Sequence, residues 1–195
     1  DIIIPSYVKH KGIQYLVTKI SEKAFINCQT IRSIQFATDS KLLIIGRGAF
    51  DNSSLEAISI PPSVEQLKSN AFFNCKKLKQ VNIPVDSKLQ QISVYAFFYC
   101  PFEKIFIPPS VISIGESAFA NCYHLKEVHI PSDSKLKSIQ RHAFSCTVIE
   151  SLIIPPSFQV FKSFSFDYCT KLKNIEIPLN TELKTIEKFA FNETS

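Results

Sequence analysis

Ala71-Phe72-Phe73-Asn74-Cys75 is followed by Ala96-Phe97-Phe98-Tyr99-Cys100 and then by Ala118-Phe119-Ala120-Asn121-Cys122. The same shape occurs earlier as Ala24-Phe25-Ile26-Asn27-Cys28 and returns, with Ser for Ala, as Ser165-Phe166-Asp167-Tyr168-Cys169. Looser copies stand at Ala49-Phe50, Ala143-Phe144 and Ala190-Phe191. The eight Phe are spaced alternately 25 and 22 residues apart. A period of this size, kept along the whole chain, marks a stack of similar units and not one closed core.

Outward from that stretch, each unit carries two apolar segments. The first reads Leu55-Glu56-Ala57-Ile58-Ser59-Ile60-Pro61, Leu78-Lys79-Gln80-Val81-Asn82-Ile83-Pro84 or Leu125-Lys126-Glu127-Val128-His129-Ile130-Pro131. Its last residues alternate in, out, in, which predicts a short strand with one buried face, ended by a Pro that cannot donate to a ladder. The second segment pairs Val64 with Leu67, Leu89 with Ile92 and Leu136 with Ile139. It predicts another short strand leading into a tight Ala-Phe turn, too short for a free helix and suited to turns or 3₁₀ geometry.

Two kinds of unit alternate. Short ones run through Pro61-Pro62-Ser63-Val64 and its copies at 108 and 155; long ones run through Asp39 to Leu42, Asp86 to Leu89 and Asp133 to Leu136. Asp and Ser suit turns that bond their own backbone. A Ser-Lys nucleophile is disfavoured there, because the pair recurs with the repeat as a structural position would.

Residues 1–195 therefore read as one solenoid domain of about eight coils. Residues 6–17 interrupt the first coil; alternating apolar residues around Lys11-Gly12 predict a hairpin. Asp1 and Ser195 fall inside repeats, so the chain reads as a piece of a longer array, with self-association through uncapped ends as an expectation.

Composition narrows the function. The net charge of +5 is spread over the repeats, so no nucleic-acid groove is expected. No stretch approaches the roughly 18 apolar residues of a membrane span. Five of the six Cys share one repeat position, with Cys146 displaced by one, so they are expected to be reduced, buried fillers and not a disulfide framework. No Cys or His spacing suits a metal, and no catalytic or cofactor-binding residue is expected. Asn52-Ser53-Ser54 and Asn192-Glu193-Thr194 match the N-glycosylation acceptor pattern.

The Leu-x-x-Ile-x-Ile-Pro and Ala-Phe-x-x-Cys pattern resembles the BspA-like, Treponema-type leucine-rich repeats over almost the whole chain. The alternating coils look like the surface-antigen branch found in parasitic protozoa such as trichomonads. The resemblance implies a curved, right-handed, β-rich array of short parallel strands with little α-helix. It also implies a cell-surface or secreted protein that binds host cells, matrix proteins or other microbes. Pro stands where the common leucine-rich repeat has Asn, so an Asn ladder is expected to be absent.

Solenoids bind on rows of outward residues. The row between the two buried strand aliphatics reads Ile3, Gln35, Ser59, Asn82, Phe106, His129, Ile153 and Glu176. Phe106, His129 and Ile153 form an apolar run in it, bordered by Lys104 and Glu127, and are the first candidates for contact with a protein partner. Phe73, Phe98 and Tyr99, after the repeat Phe, are the second candidate. An intracellular scaffold using the same surface is the rival reading. An enzyme would need a unique site, and the Lys11-Gly12 insertion is the one place that breaks the repeat.

Overall fold

The computed structural model describes residues 1–194; Ser195, the last residue of the C-terminal half-repeat, lies outside it. The chain is a curved, mostly parallel β-solenoid, with no α-helix or 3₁₀ helix among the described residues. Each coil is named here by its repeat Phe. It contributes a first strand, a second strand and the Ala-Phe turn. The second strands, from Lys19–Ile20 to Thr185–Ile186, join all eight coils in one parallel sheet.

The repeat Phe stack at the centre. Successive rings from Phe25 to Phe191 lie 5.1–5.5 Å apart between centroids and nearly parallel. The six inner rings are at most 1% exposed, while Phe25 and Phe191 are half-buried. Ala precedes seven of the eight rings and Ser165 the eighth, and the carbonyl of this residue is a rung. Phe72 N–H donates to the Ala96 carbonyl at 2.8 Å, Phe97 to Ala118 and Phe119 to Ala143, each reaching the following coil.

The turn needs left-handed backbone twice per coil. The residue two before each Phe and the residue two after it both have positive φ, for example Asn70 at 61° and Asn74 at 55° around Phe72. Asn tolerates this region better than other residues with a side chain beyond Cβ. These Asn also make a short ladder, from Asn74 Nδ2 to Asn52 Oδ1 (3.1 Å) and from Asn52 Nδ2 to Asn27 Oδ1 (2.7 Å). The expected absence concerned the residue after the first strand, where Pro stands; this ladder lies in the turn, a different site with the same one-coil repeat.

Six free thiols are present, but only four are fully buried. Cys75, Cys100, Cys122 and Cys169 each donate to the carbonyl of a Phe on the preceding coil at 3.0–3.1 Å. Cys28 and Cys146 are only half-buried, which corrects the expectation of six buried fillers. Thr147 takes the row position that Cys146 misses, bonding the Phe144 carbonyl at 2.8 Å. The Ser of each Asp-Ser-Lys-Leu segment is structural: Ser87 Oγ accepts from Leu89 N–H and Ser134 Oγ from Leu136 N–H, both at 3.2 Å. The short-coil Ser110 and Ser157 donate to carbonyls of the long coil before them.

The first strands do not form one sheet. Steps from a short coil to a long one keep three register pairs, as in Ala57↔Gln80 to Ser59↔Asn82 and Lys104↔Glu127 to Phe106↔His129. Steps from a long coil to a short one lose them. Two pairs survive between Ser33–Phe36 and Ala57–Ser59. The ladder is interrupted between Gln80–Asn82 and Lys104–Phe106, and again between Glu127–His129 and Ser151–Ile153. A short coil has one residue fewer between the row Cys or Thr and the buried Leu position, as in Cys100-Pro101-Phe102 against Cys75-Lys76-Lys77-Leu78. Its strand cannot lie flush against the coil before it.

Tyr7–His10 and Ile13–Leu16 pair antiparallel and stand clear of the solenoid, with every residue exposed. Their base is held by the Val17 N–H bond to the Ser6 carbonyl and by Ser6 Oγ donating to Asp39.

Candidate binding surface

The interrupted ladder leaves Lys104–Phe106 and Glu127–His129 as a two-stranded island. On it Phe106 and His129 stack, with ring centroids 5.4 Å apart and planes 18° from parallel. The imidazole partly covers the phenyl ring, so Phe106 is half-buried while His129 is exposed. Ile153 stands across the gap, paired with Glu176 and not with His129, and is 55% exposed. A groove of about 340 Å³ follows that gap, lined by Lys126, Glu127, His129, Glu150, Ser151 and Ile153. A second, of about 570 Å³, follows the other interruption and reaches Lys104, Glu127 and His124. The structure therefore gathers the five strand residues around one island with a groove on either side.

Lys104 and Glu127 face each other in register, but the ion pair forms one residue earlier. Lys126 Nζ lies 3.3 Å from Glu103. That pair belongs to a row missed in reading the sequence: Arg32, Glu56, Lys79, Glu103, Lys126, Glu150 and Lys173. Long coils supply the base and short coils the acid, and Arg32 bonds Glu56 at 3.1 Å. The signal was the residue following each buried Leu position.

The second set divides. Phe73 and Phe98 stack at 5.0 Å and 5°, with Tyr95 edge-on to both, so they are half-buried and cover the turn. Tyr99 lies 6.4 Å from Phe98 and meets Tyr123 instead, edge to face at 5.5 Å. Tyr95 and Tyr123 were not singled out from the sequence, nor was the stack His142–Phe164–Phe189 farther along the same turns. Gly48 and Asn70, at the position shared by Tyr95, His142, Phe164 and Phe189, were the available sign of left-handed backbone.

The BspA-type leucine rich repeat region profile matches residues 7–100 and 90–195, in six copies. The chain belongs to the BspA-type leucine-rich-repeat family. It is similar to a leucine-rich repeat protein from Bacteroides ovatus, with 32% identity and a TM-score of 0.85, over 99% of this chain and 49% of that one. It is also similar to the pneumococcal vaccine antigen PcpA, with 25% identity and a TM-score of 0.67, over 92% of this chain and 40% of that one. The chain thus spans about half or less of the length of these relatives. No curated protein sequence matches it.

The BspA-type solenoid is a fold whose stacked coils present an extended surface of the kind on which such arrays bind. Its recurring Ser and Cys side chains are engaged with backbone groups. Among the described residues, no group of three or more His, Cys, Asp or Glu is placed to hold a metal ion. There is no helix among them long and apolar enough to cross a membrane.

Proposed function

We propose that this chain is a cell-surface or secreted protein-binding module that holds its partner on the first-strand face. The observation that carries the reading is the Phe106–His129 stack on its island, with exposed Ile153 across the adjoining groove. An aromatic and an aliphatic anchor beside a recess, rimmed by charges, is the arrangement of a binding hot spot. A surface location is supported by the likeness to PcpA, which is a vaccine antigen. The partner class is a host cell-surface or matrix protein. Membership of the protozoan surface-antigen branch rests on the alternating coils alone, and the two relatives above are bacterial.

The test is adhesion of the immobilised chain to host epithelial cells and to matrix-coated wells. Phe106→Ala and Ile153→Ser should each weaken adhesion by about 1–3 kcal/mol, Ile153→Ser without lowering the melting temperature and Phe106→Ala with no more than the small loss of its stack on His129. Unchanged adhesion by the double variant removes the strand face from the reading. Staining of intact cells that express the full-length protein separates a surface module from an intracellular scaffold.

A further inference from the structure

We infer that a second site, on the turn face, takes one sugar ring of an anionic glycan in the cleft beside the Tyr99–Tyr123 pair. The cleft measures about 190 Å³ and is lined by Lys76, Tyr99, Pro101, Asn121, Tyr123 and His124. That is below the roughly 300–1,000 Å³ of a pocket for a drug-sized ligand, and suits a single ring better than a peptide segment.

The turn directs Tyr99 outward. It has φ 61° at the position held by Asn27, Asn52, Asn74 and Asn121, and by Tyr168 at φ 55°. Tyr99 is 39% exposed and Tyr123 is 50% exposed, so neither ring is spent in the core.

The chemistry of the lining indicates the ligand. The two tyrosine rings stand perpendicular, at 87°. The C–H face of a pyranose lies against such rings, while its hydroxyls reach the Asn121 amide and the His124 imidazole. Lys76 Nζ, 5.5 Å from the Tyr99 centroid, supplies a positive charge at the rim. The lining holds no carboxylate. Glu103, which lines the neighbouring groove with His124, is paired with Lys126 at 3.3 Å. An acidic substituent, carboxylate or sulfate, therefore meets a cation without an opposing anion. The site is separate from the strand face, so either can fail alone.

The experiment titrates the chain with sialyllactose, a sulfated heparin disaccharide and neutral lactose. Amide NMR shifts and calorimetry provide the readout. One of the anionic sugars should bind saturably, with a dissociation constant on the order of 1 mM, and shift the Asn121 and His124 amides. Lactose should bind at least about fivefold more weakly, and the two anionic probes distinguish carboxylate from sulfate. Tyr123→Ala should weaken the anionic sugar about tenfold at an unchanged melting temperature. Tyr99→Asn should weaken it similarly while the melting temperature holds or rises, and Lys76→Gln should remove the preference over lactose. Phe106→Ala should leave sugar binding intact. The inference is overturned if no sugar binds saturably, or if Tyr123→Ala leaves binding unchanged. Loss of a protein partner by Tyr123→Ala, with no sugar bound by the parent chain, also overturns it and assigns the cleft to protein contact.

Discussion

Ser165 occupies the place that Ala holds in the seven other coils. It is fully buried, and its Oγ has no hydrogen-bond partner among the described residues. An unpaired buried hydroxyl costs desolvation and returns nothing. Ser165→Ala should therefore stabilise the chain by about 1 kcal/mol in urea unfolding, and a loss of stability would show that the hydroxyl is satisfied in solution. The thiols provide a second test at this scale. Burial pushes Cys122 up to about 12 and Cys169 up to about 11, so near pH 8 both stay protonated and slow to react. Cys28 and Cys146 are half-buried. A thiol reagent should label these two first and all six after unfolding; uniform protection of all six would contradict the burial described above.

Each structural element in this fold is completed only by its neighbour. A strand of two or three residues has no stability alone, and an Ala-Phe turn donates its N–H groups to the coil that follows. The Phe rings join the elements across the core. Phe97 touches Phe72, Phe119 and Phe102, and none of the four is exposed. Phe97→Ala should cost about 3–5 kcal/mol in equilibrium unfolding. A loss below about 1 kcal/mol would mean that the rings close the gap by sliding along the stack. The first-strand interruptions belong to this scale too, since one residue fewer before Phe102 and Ile149 opens the grooves that border the candidate site.

For the whole molecule the natural unit is a pair of coils, 47 residues long. Within the pair the charges alternate, and the short-coil Ser bonds back to the long coil. Exposed ion pairs contribute little individually, but a slip by one coil sets like charges side by side. Deleting residues 73–119 keeps the alternation. Deleting residues 98–119 places Lys79 against Lys126. The first variant should melt with the parent's response to salt. The second should gain stability as salt screens the repulsion, by about 0.5 kcal/mol between low and high ionic strength. Equal salt responses would leave the charge row without a part in coil order.

The sequence by itself determined the architecture, because a periodic stack repeats one packing problem. Phe at alternating spacings of 25 and 22 reports the same coil cross-section eight times over, and the aliphatic-x-Ile before Pro and the in-line Cys repeat it in most coils. Phe106, His129 and Ile153 were legible as outward residues for the same reason, since strand alternation has a period of two. What joins them was not legible. The stacking of His129 on Phe106, the gap before Ile153 and the meeting of Tyr99 with Tyr123 depend on how flush one coil lies on the next. That fit is set by a one-residue difference in coil length and by left-handed turn residues, whose effect appears only between neighbouring coils. Local pattern decides which side chains leave the core; tertiary packing decides which of them touch.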